Sequence, residues 1–372
     1  PELSRGLGDV YKRQDKDKLL MQLITYLLEQ GHFQPKDFND DFSKDVYSRF
    51  LKRVDPYKHY FYQSDLDNFK KFELELDDQI QNYDVQFFNL VYEQLMLRIE
   101  ESNATYKAIL SSPFDYDIDE TFQSDPDQLE FVSSKKQMRE RWRKQLKLST
   151  LSNYHDLVSE QDSKKEDSVT VIKSKSEFEA ESRAATLKSL EETAVYMNDL
   201  RRDDWLSMYI NSIAESFDPH TFYFAPQDKE RFDASMSGKY EGIGARLQKK
   251  MDEITITELI SGGSAWRQNK LQVGDIILKV RQEDEEESVS VVGMRLDDAV
   301  KLIKGPKGTN VILTLKRVDG SIEDLRIPRD EIELEETYAK SSIVKVDNYE
   351  FGVINLPKSV SYTHLRAHET IP

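Results

Sequence analysis

The sequence contains no cysteine, which excludes disulfide scaffolds, thiol nucleophiles and cysteine-ligated zinc or iron–sulfur centres. The compartment stays open, since a cysteine-free chain folds equally well in reducing or oxidising surroundings. Strong bases are outnumbered, 52 against 69 acids in 372 residues, for a net charge of −17. A general nucleic-acid binder needs clustered Lys and Arg, so nucleic acid is not an expected partner and a soluble, self-repelling surface is. No apolar run reaches the ~18 residues of a membrane span. No secretory signal is visible either: Met21 to Leu28 is interrupted by Gln22, Thr25 and Tyr26 behind a charged leader. What is present, 38% hydrophobic residues over this length, suffices for two or three domains, each with its own core.

The two ends look foreign to the rest. PELSRGLGDVYKRQ (1–14) and SYTHLRAHETIP (361–372) resemble translated adaptor-like sequence at the ends of assembled environmental reads. Residues 1–14 are therefore expected to be a non-native leader and 360–372 a non-native tail. His364 and His368, spaced as two ligands on one helix face, fall in that tail and are not expected to bind metal.

From Asp15 to Phe217 the hydrophobic period is helical. Leu19, Leu20, Leu23, Ile24, Leu27 and Leu28 recur at three- and four-residue steps until Gly31, and Phe42, Val46, Phe50 and Leu51 continue in a second helix. A long helical segment is predicted from Ser64 to Leu110. Met138, Trp142 and Leu146 make an apolar stripe through the basic stretch Lys135 to Lys147, predicting an amphipathic helix with a solvated cationic face. Residues 159–176 read as a polar loop. An internal echo, VDPYKHYFYQSDLDNF (54–69) and FDPHTFYFAPQDKERF (217–232), predicts a repeated joint. Asp-Pro ends one helix, aromatics pack, and Ser64 or Pro226 with a nearby Asp opens the next. The alternative is that the aromatics line a cleft. His220, in the second copy, is read as packing or capping rather than as a catalytic base.

After Tyr240 the period changes to two. Short strands are predicted around Ile254–Ile256, Asp275–Val280, Val311–Leu315 and Leu325–Ile327, with turns at Gly262-Gly263 and Asp319-Gly320. Leu296, Ala299, Val300 and Ile303 fall on one face of a short helix closed by Gly305-Pro306. The acidic run Glu283 to Glu287 fits an exposed hairpin tip. Tyr240 to Leu247, YEGIGARL, places a Gly-x-Gly pair before a strand, so that successive backbone N–H groups can converge on an anion. It is no dinucleotide fingerprint, since no third glycine opens a helix, and GPKGT (305–309) lacks phosphate-loop spacing.

The series YEGIGARL, GGSAW, LQVGDIIL, MRLDDAVKLIKGPKGTNVILTLKR and IPRDEI resembles a PDZ domain of the carboxyl-terminal-processing peptidase type. With DPHTFYFAP, DPYKHYFYQSD and the helical region, the resemblance extends to the tail-specific protease family over residues 15–359. Ser264 stands where the family commonly has proline. The resemblance implies a multidomain α+β chain: a helical N-terminal domain over 15–226, a PDZ domain over 227–330 and the first hairpin of a mixed α/β peptidase core over 331–359. It implies serine-type proteolysis of tagged or misfolded proteins in the cell envelope, periplasmic in Gram-negative bacteria, without a cofactor. Partners would be protein substrates with free apolar C-termini, with an adaptor protein on the helical domain as a further one. The terminal carboxylate would lie on the N–H groups around Gly242, Ile243 and Gly244. The groove would be formed by Ala245 and Leu247 opposite Leu296, Ala299, Val300 and Ile303, with Ile243 beside them.

The family cleaves with a serine activated by a lysine whose pKa is lowered by burial. No residue here is assigned to that pair. Lys358-Ser359 is not it, since neighbours on a strand point to opposite faces. The chain alone is expected to be inactive, its dyad lying beyond this sequence. A non-catalytic PDZ scaffold that recognises C-terminal peptides is the competing expectation.

Overall fold

The computed structural model describes residues 2–163, 173–333, 340–346 and 349–356. The chain divides at Phe224/Ala225 into two compact units, the first helical and the second built mainly of strands. It is a multidomain α+β protein.

In the first unit, α1 (Glu2–Gln30) and α2 (Asp40–Val54) are followed by α3 (Gln63–Phe69), a 3-10 turn at Lys70–Phe72 and α4 (Leu76–Gln81). Then come α5 (Gln86–Leu110), α6 (Lys135–Ser163), α7 (Lys175–Asp199) and α8 (Arg202–Phe217). The long helix predicted from Ser64 is thus broken before α5, where Tyr83 sits at φ +59 and a non-glycine residue rarely continues a helix. Of the polar loop predicted over 159–176, residues 159–163 are helical, at the end of α6, and the Ser174–Glu177 capping box starts α7; residues 164–172 lie outside the described residues. Asn39 starts α2 by accepting the Asp41 and Phe42 N–H groups.

The main helical core gathers Phe50, Phe87, Phe88 and Tyr209, with Phe50 and Tyr209 edge to face at 5.1 Å. In α1 the buried face is Asp17, Met21, Thr25 and Leu28, while Leu19, Leu23 and Leu27 are exposed. A second core joins Tyr62 and Tyr106 to the predicted stripe Met138, Trp142 and Leu146 on α6. The basic face of α6 is less solvated than expected. Lys147 is buried and donates to Ile118 O (2.9 Å) and Glu120 (2.7 Å), and Arg143 also pairs with Glu120.

Both copies of the repeated joint link helices. The first runs from α2 to α3, and its Asp55 carboxylate accepts the N–H groups of His59 (2.7 Å), Tyr60 (3.1 Å) and Phe61 (2.9 Å). Phe61 and Phe69 are core residues, so these aromatics pack, while Asp55, Pro56, Lys58 and Leu66 of the same copy line a cavity of about 340 Å³. The next helix is opened by Asp65, which accepts the Tyr62 N–H at 2.9 Å, and not by Ser64. In the second copy the Asp218 carboxylate accepts one N–H among the described residues, that of His220, whose side chain is exposed. Pro226 then occupies the first turn of α9 (Pro226–Ser237).

The second unit is organised around the sheet order β2-β3-β4-β6-β7, all antiparallel neighbours. Its strands are β2 (Ala245–Lys250), β3 (Glu253–Leu259), β4 (Ile276–Gln282), β6 (Asn310–Lys316) and β7 (Ile322–Pro328). β5 (Val289–Ser290) folds back on β4 beyond the exposed acidic tip, Glu283 to Glu287. β1 (Lys239–Gly242) pairs separately with β8 (Asp330–Glu333). Besides α9, the unit has two short helices among the described residues: α10 (Ser264–Gln268), directly after Gly262-Gly263, and α11 (Leu296–Ile303). The core alternates along the strands, with Val311, Leu313 and Leu315 fully buried on β6. β9 (Lys340–Val346) and β10 (Tyr349–Asn355) form an antiparallel hairpin.

Candidate peptide-binding groove

β1 ends at Gly242, and the chain turns through Ile243 and Gly244 into β2. Gly244 sits at φ +77, and a Cβ there would lie 3.0 Å from Gly263 Cα and 3.1 Å from Ile332 Cδ1. Only glycine fits this turn. Ile243 is buried, with its side chain in the core. Its carbonyl accepts the Ala265 N–H (2.9 Å) and the Ser264 hydroxyl (3.1 Å), both at the start of α10. A trans peptide points its N–H opposite to its C=O, so the Gly244 N–H faces away from α10. The N–H groups of Ile243 and Gly244 make no hydrogen bond with the described residues.

β2 is an edge strand, paired with β3 on one side only. The bond from Ile260 N–H to Gly244 O (2.9 Å) makes Ala245–Leu259 a non-hydrogen-bonded pair. The Ala245 N–H is thereby left on the open edge. Across that edge lies α11. Between them is a cavity of about 90 Å³ lined by the glycine turn, Ala245, Leu247, Val300 and Ile303, together with Tyr240 and Lys304.

Most of the predicted site residues therefore meet: Gly242, Ile243, Gly244, Ala245, Leu247, Val300 and Ile303. Leu296 and Ala299 do not line the cavity. Ala299 faces the sheet and is fully buried in the core, and Leu296 packs on that core one turn before Val300. Tyr240 and Lys304 are additions. Lys304 was readable as the next residue on the Val300 face, four positions on. Burial pushes the Tyr240 phenol up to about 12, so it stays neutral at physiological pH.

The far wall is fixed by Arg329, from the motif IPRDEI. Its guanidinium is buried and donates to the carbonyls of Leu302 (3.0 Å), Ile303 (2.8 Å) and Asn310 (3.2 Å). It also donates to Gln282 Oε1 (2.6 Å) and Thr309 Oγ1 (3.0 Å). A cation thus closes the C-terminal turn of α11, where unpaired carbonyls attract it.

Among the described residues no group of His, Asp and Glu could hold a metal ion, and no helix is long and apolar enough to cross a membrane. Lys358, Ser359, His364 and His368 lie outside the described residues.

Comparison with known proteins fits this architecture. Residues 24–227 match the family model for the tail specific protease N-terminal domain, and residues 233–316 match the PDZ domain model. Over 345 residues, 92% of this chain, it is 28% identical to the tail-specific protease of Haemophilus influenzae, of which the match covers 47%. It is 37% identical over 123 residues, 33% of the chain, to the carboxy-terminal processing protease CtpA of Bacillus subtilis, covering 25% of that protein. The chain thus spans half or less of the length of these relatives. A solved PDZ domain of a carboxy-terminal protease from Vibrio cholerae, in complex with peptide, is 46% identical over 26% of this chain and 99% of its own, with a TM-score of 0.25. With one model lying over more than half of its length and the second following directly, the chain belongs to the tail-specific protease family, carrying its N-terminal domain and then a PDZ domain.

Proposed function

We propose that this chain is the substrate-recognition part of a C-terminal-processing serine endopeptidase. Its PDZ groove captures the free, apolar C-terminus of a protein substrate. The peptide adds as a strand along the open edge of β2, its carboxylate on the Ile243 and Gly244 N–H groups and its last side chain in the cavity against Leu247, Val300 and Ile303. The observation that carries this reading is the pair of N–H groups without partners among the described residues, at the head of an edge strand and in the lining of a largely apolar cavity.

Cleavage is assigned to a serine–lysine pair outside residues 15–359, with residues 15–226, 227–330 and 331–359 serving as helical domain, PDZ domain and first hairpin of the peptidase core. Family membership supports this, and supports an envelope setting, periplasmic in a Gram-negative cell. The chain by itself then hydrolyses nothing, and measurable turnover of unfolded casein would overturn that part.

Capture is tested by calorimetry on the 372-residue chain with one octapeptide ending in valine, as free acid and as C-terminal amide. The free acid should bind at least about tenfold tighter, the scale of a lost charge-assisted hydrogen-bond pair. Equal affinities would remove the carboxylate site.

A further inference from the structure

Lys304 is the residue immediately after α11, in extended conformation, with its N–H bonded to Val300 O at 2.8 Å. Its side chain runs along the cavity. A Cβ built on Gly242 would be 3.7 Å from Lys304 Cγ, which puts the methylene stem against the glycine turn. Its ammonium lies 5.7 Å from the centre of the Tyr240 ring.

The neighbouring lysines are satisfied by acids. Lys239, on β1, holds both Glu331 and Glu333 at 2.9 Å, and Lys307 holds Asp330 at 3.1 Å. Lys304 is half-buried, lines the cavity and has no carboxylate partner among the described residues. In a chain with 69 acids, a cation and two N–H groups that line one cavity, none with an anionic partner among the described residues, form a polar arrangement that lacks its anion. The Tyr240 ring face attracts the ammonium without neutralising it, and so keeps it at the cavity wall.

We infer that Lys304 supplies the counter-charge for the carboxylate terminus of a bound peptide, completing an anion site of which the backbone N–H groups are the other part. The inference rests on the C-terminus-capture reading and adds to it the side chain that sets selectivity for an ionised terminus. Two roles compete for Lys304 in its free state: its charge also complements the negative end of α11, and its stem packs on the turn.

The test separates these roles. The 372-residue chain, Lys304→Met and Lys304→Arg are titrated with the valine-ending octapeptide as free acid and as amide. Lys304→Met keeps an unbranched apolar stem, and Lys304→Gln replaces it if that variant fails to fold. For Lys304→Met the free-acid affinity should fall about tenfold while amide affinity is unchanged, so the acid-to-amide ratio collapses. Lys304→Arg should stay within about twofold of the parent. The salt dependence of free-acid binding should flatten in Lys304→Met and persist in Lys304→Arg. Equal losses for both peptides would make Lys304 a packing residue and overturn the inference, as would no loss at all. A parent chain that fails to distinguish acid from amide would instead bring down the capture reading itself, and with it this inference.

Discussion

The Nε–H of Arg329 donates to the carbonyl oxygen of Ile303 at 2.8 Å, across 26 residues of sequence, and this contact ties the end of β7 to the wall of the groove. Removing the guanidinium would leave the carbonyl of Ile303 and the amide oxygen of Gln282 without this donor, while the Leu302 carbonyl keeps the Gln282 Nε2–H bond at 2.9 Å. Each orphaned group costs about 1–3 kcal/mol. Arg329→Met should lower the stability of the PDZ unit by about 3 kcal/mol and weaken binding of a C-terminal peptide. The check is a urea titration followed by peptide calorimetry. An unchanged midpoint would show that water replaces the guanidinium at no cost.

Gly244 and Gly308 both have positive φ, +77 and +88, but they differ in what surrounds them. A Cβ at Gly308 meets nothing within 4 Å, whereas at Gly244 it meets Gly263 Cα at 3.0 Å and Ile332 Cδ1 at 3.1 Å. Gly308→Ala should cost only the left-handed strain, about 1 kcal/mol, and leave peptide binding intact. Gly244→Ala adds displacement of the turn, so it should cost about 2–3 kcal/mol and abolish peptide binding. Thermal melts and calorimetry on both variants decide this, and equal behaviour would mean that the turn is not rigid.

Arg98 makes two parallel bonds to the buried Asp65, at 2.9 and 2.8 Å, and lies 4.3 Å from the centre of the Tyr62 ring. Losing the cation leaves that carboxylate with the Tyr62 N–H and no counter-charge. Arg98→Met should therefore destabilise the helical unit by about 3 kcal/mol, and Asp65→Asn in the same chain should recover part of it. Lys44→Ala, which removes an exposed pair with Asp41, should leave the urea midpoint unchanged. A double-mutant cycle in urea measures the coupling.

Periodicity carried much of the fold: the Met138–Trp142–Leu146 stripe, the strands around Ile254, Ile277 and Leu313, and the helix at Leu296 stand where their spacing put them. What it missed was decided by contacts distant in sequence. β1 and β8 are four residues each and acquire strand character only by pairing with one another across 88 or more positions. In α1 apolar residues surround the helix, so spacing could not choose between the Leu19–Leu23–Leu27 face and the Met21–Leu28 face. Packing buried the latter. Lys147 reads as solvated charge because nothing local announces Glu120 as its partner, and the motif IPRDEI likewise does not announce the Ile303 carbonyl as the partner of Arg329. At the groove, the glycine turn and Val300 were legible. Lys304 follows on the Val300 face, but its spacing alone does not separate a groove residue from a basic residue that complements the helix dipole.

His59 and Asp55 stand within one turn of chain and respond to acid in opposite directions. Burial lowers the His59 imidazole from 6.5 to about 4, with Arg141 adding to the effect, and burial raises the Asp55 carboxyl from 3.8 to about 6 despite its three backbone donors. Between pH 6.5 and 4 the unfolded chain protonates a histidine that the folded chain keeps neutral, so His59 takes stability away as pH falls. Between about 6 and 3.8 the folded chain holds a proton on Asp55 that the unfolded chain has lost, so Asp55 returns stability over nearly the same window. Each effect is roughly 3 kcal/mol at full extent, and the two largely cancel. Asp55→Asn should therefore leave a variant that loses about 3 kcal/mol more than the parent between pH 6.5 and 4. His59→Phe should show the reverse slope, gaining stability on acidification. Urea midpoints at pH 7, 5.5 and 4.5 can follow Trp142, whose indole N–H donates to His59 O at 3.2 Å. Parallel profiles for all three chains would mean that water reaches both groups and that neither is shifted by burial.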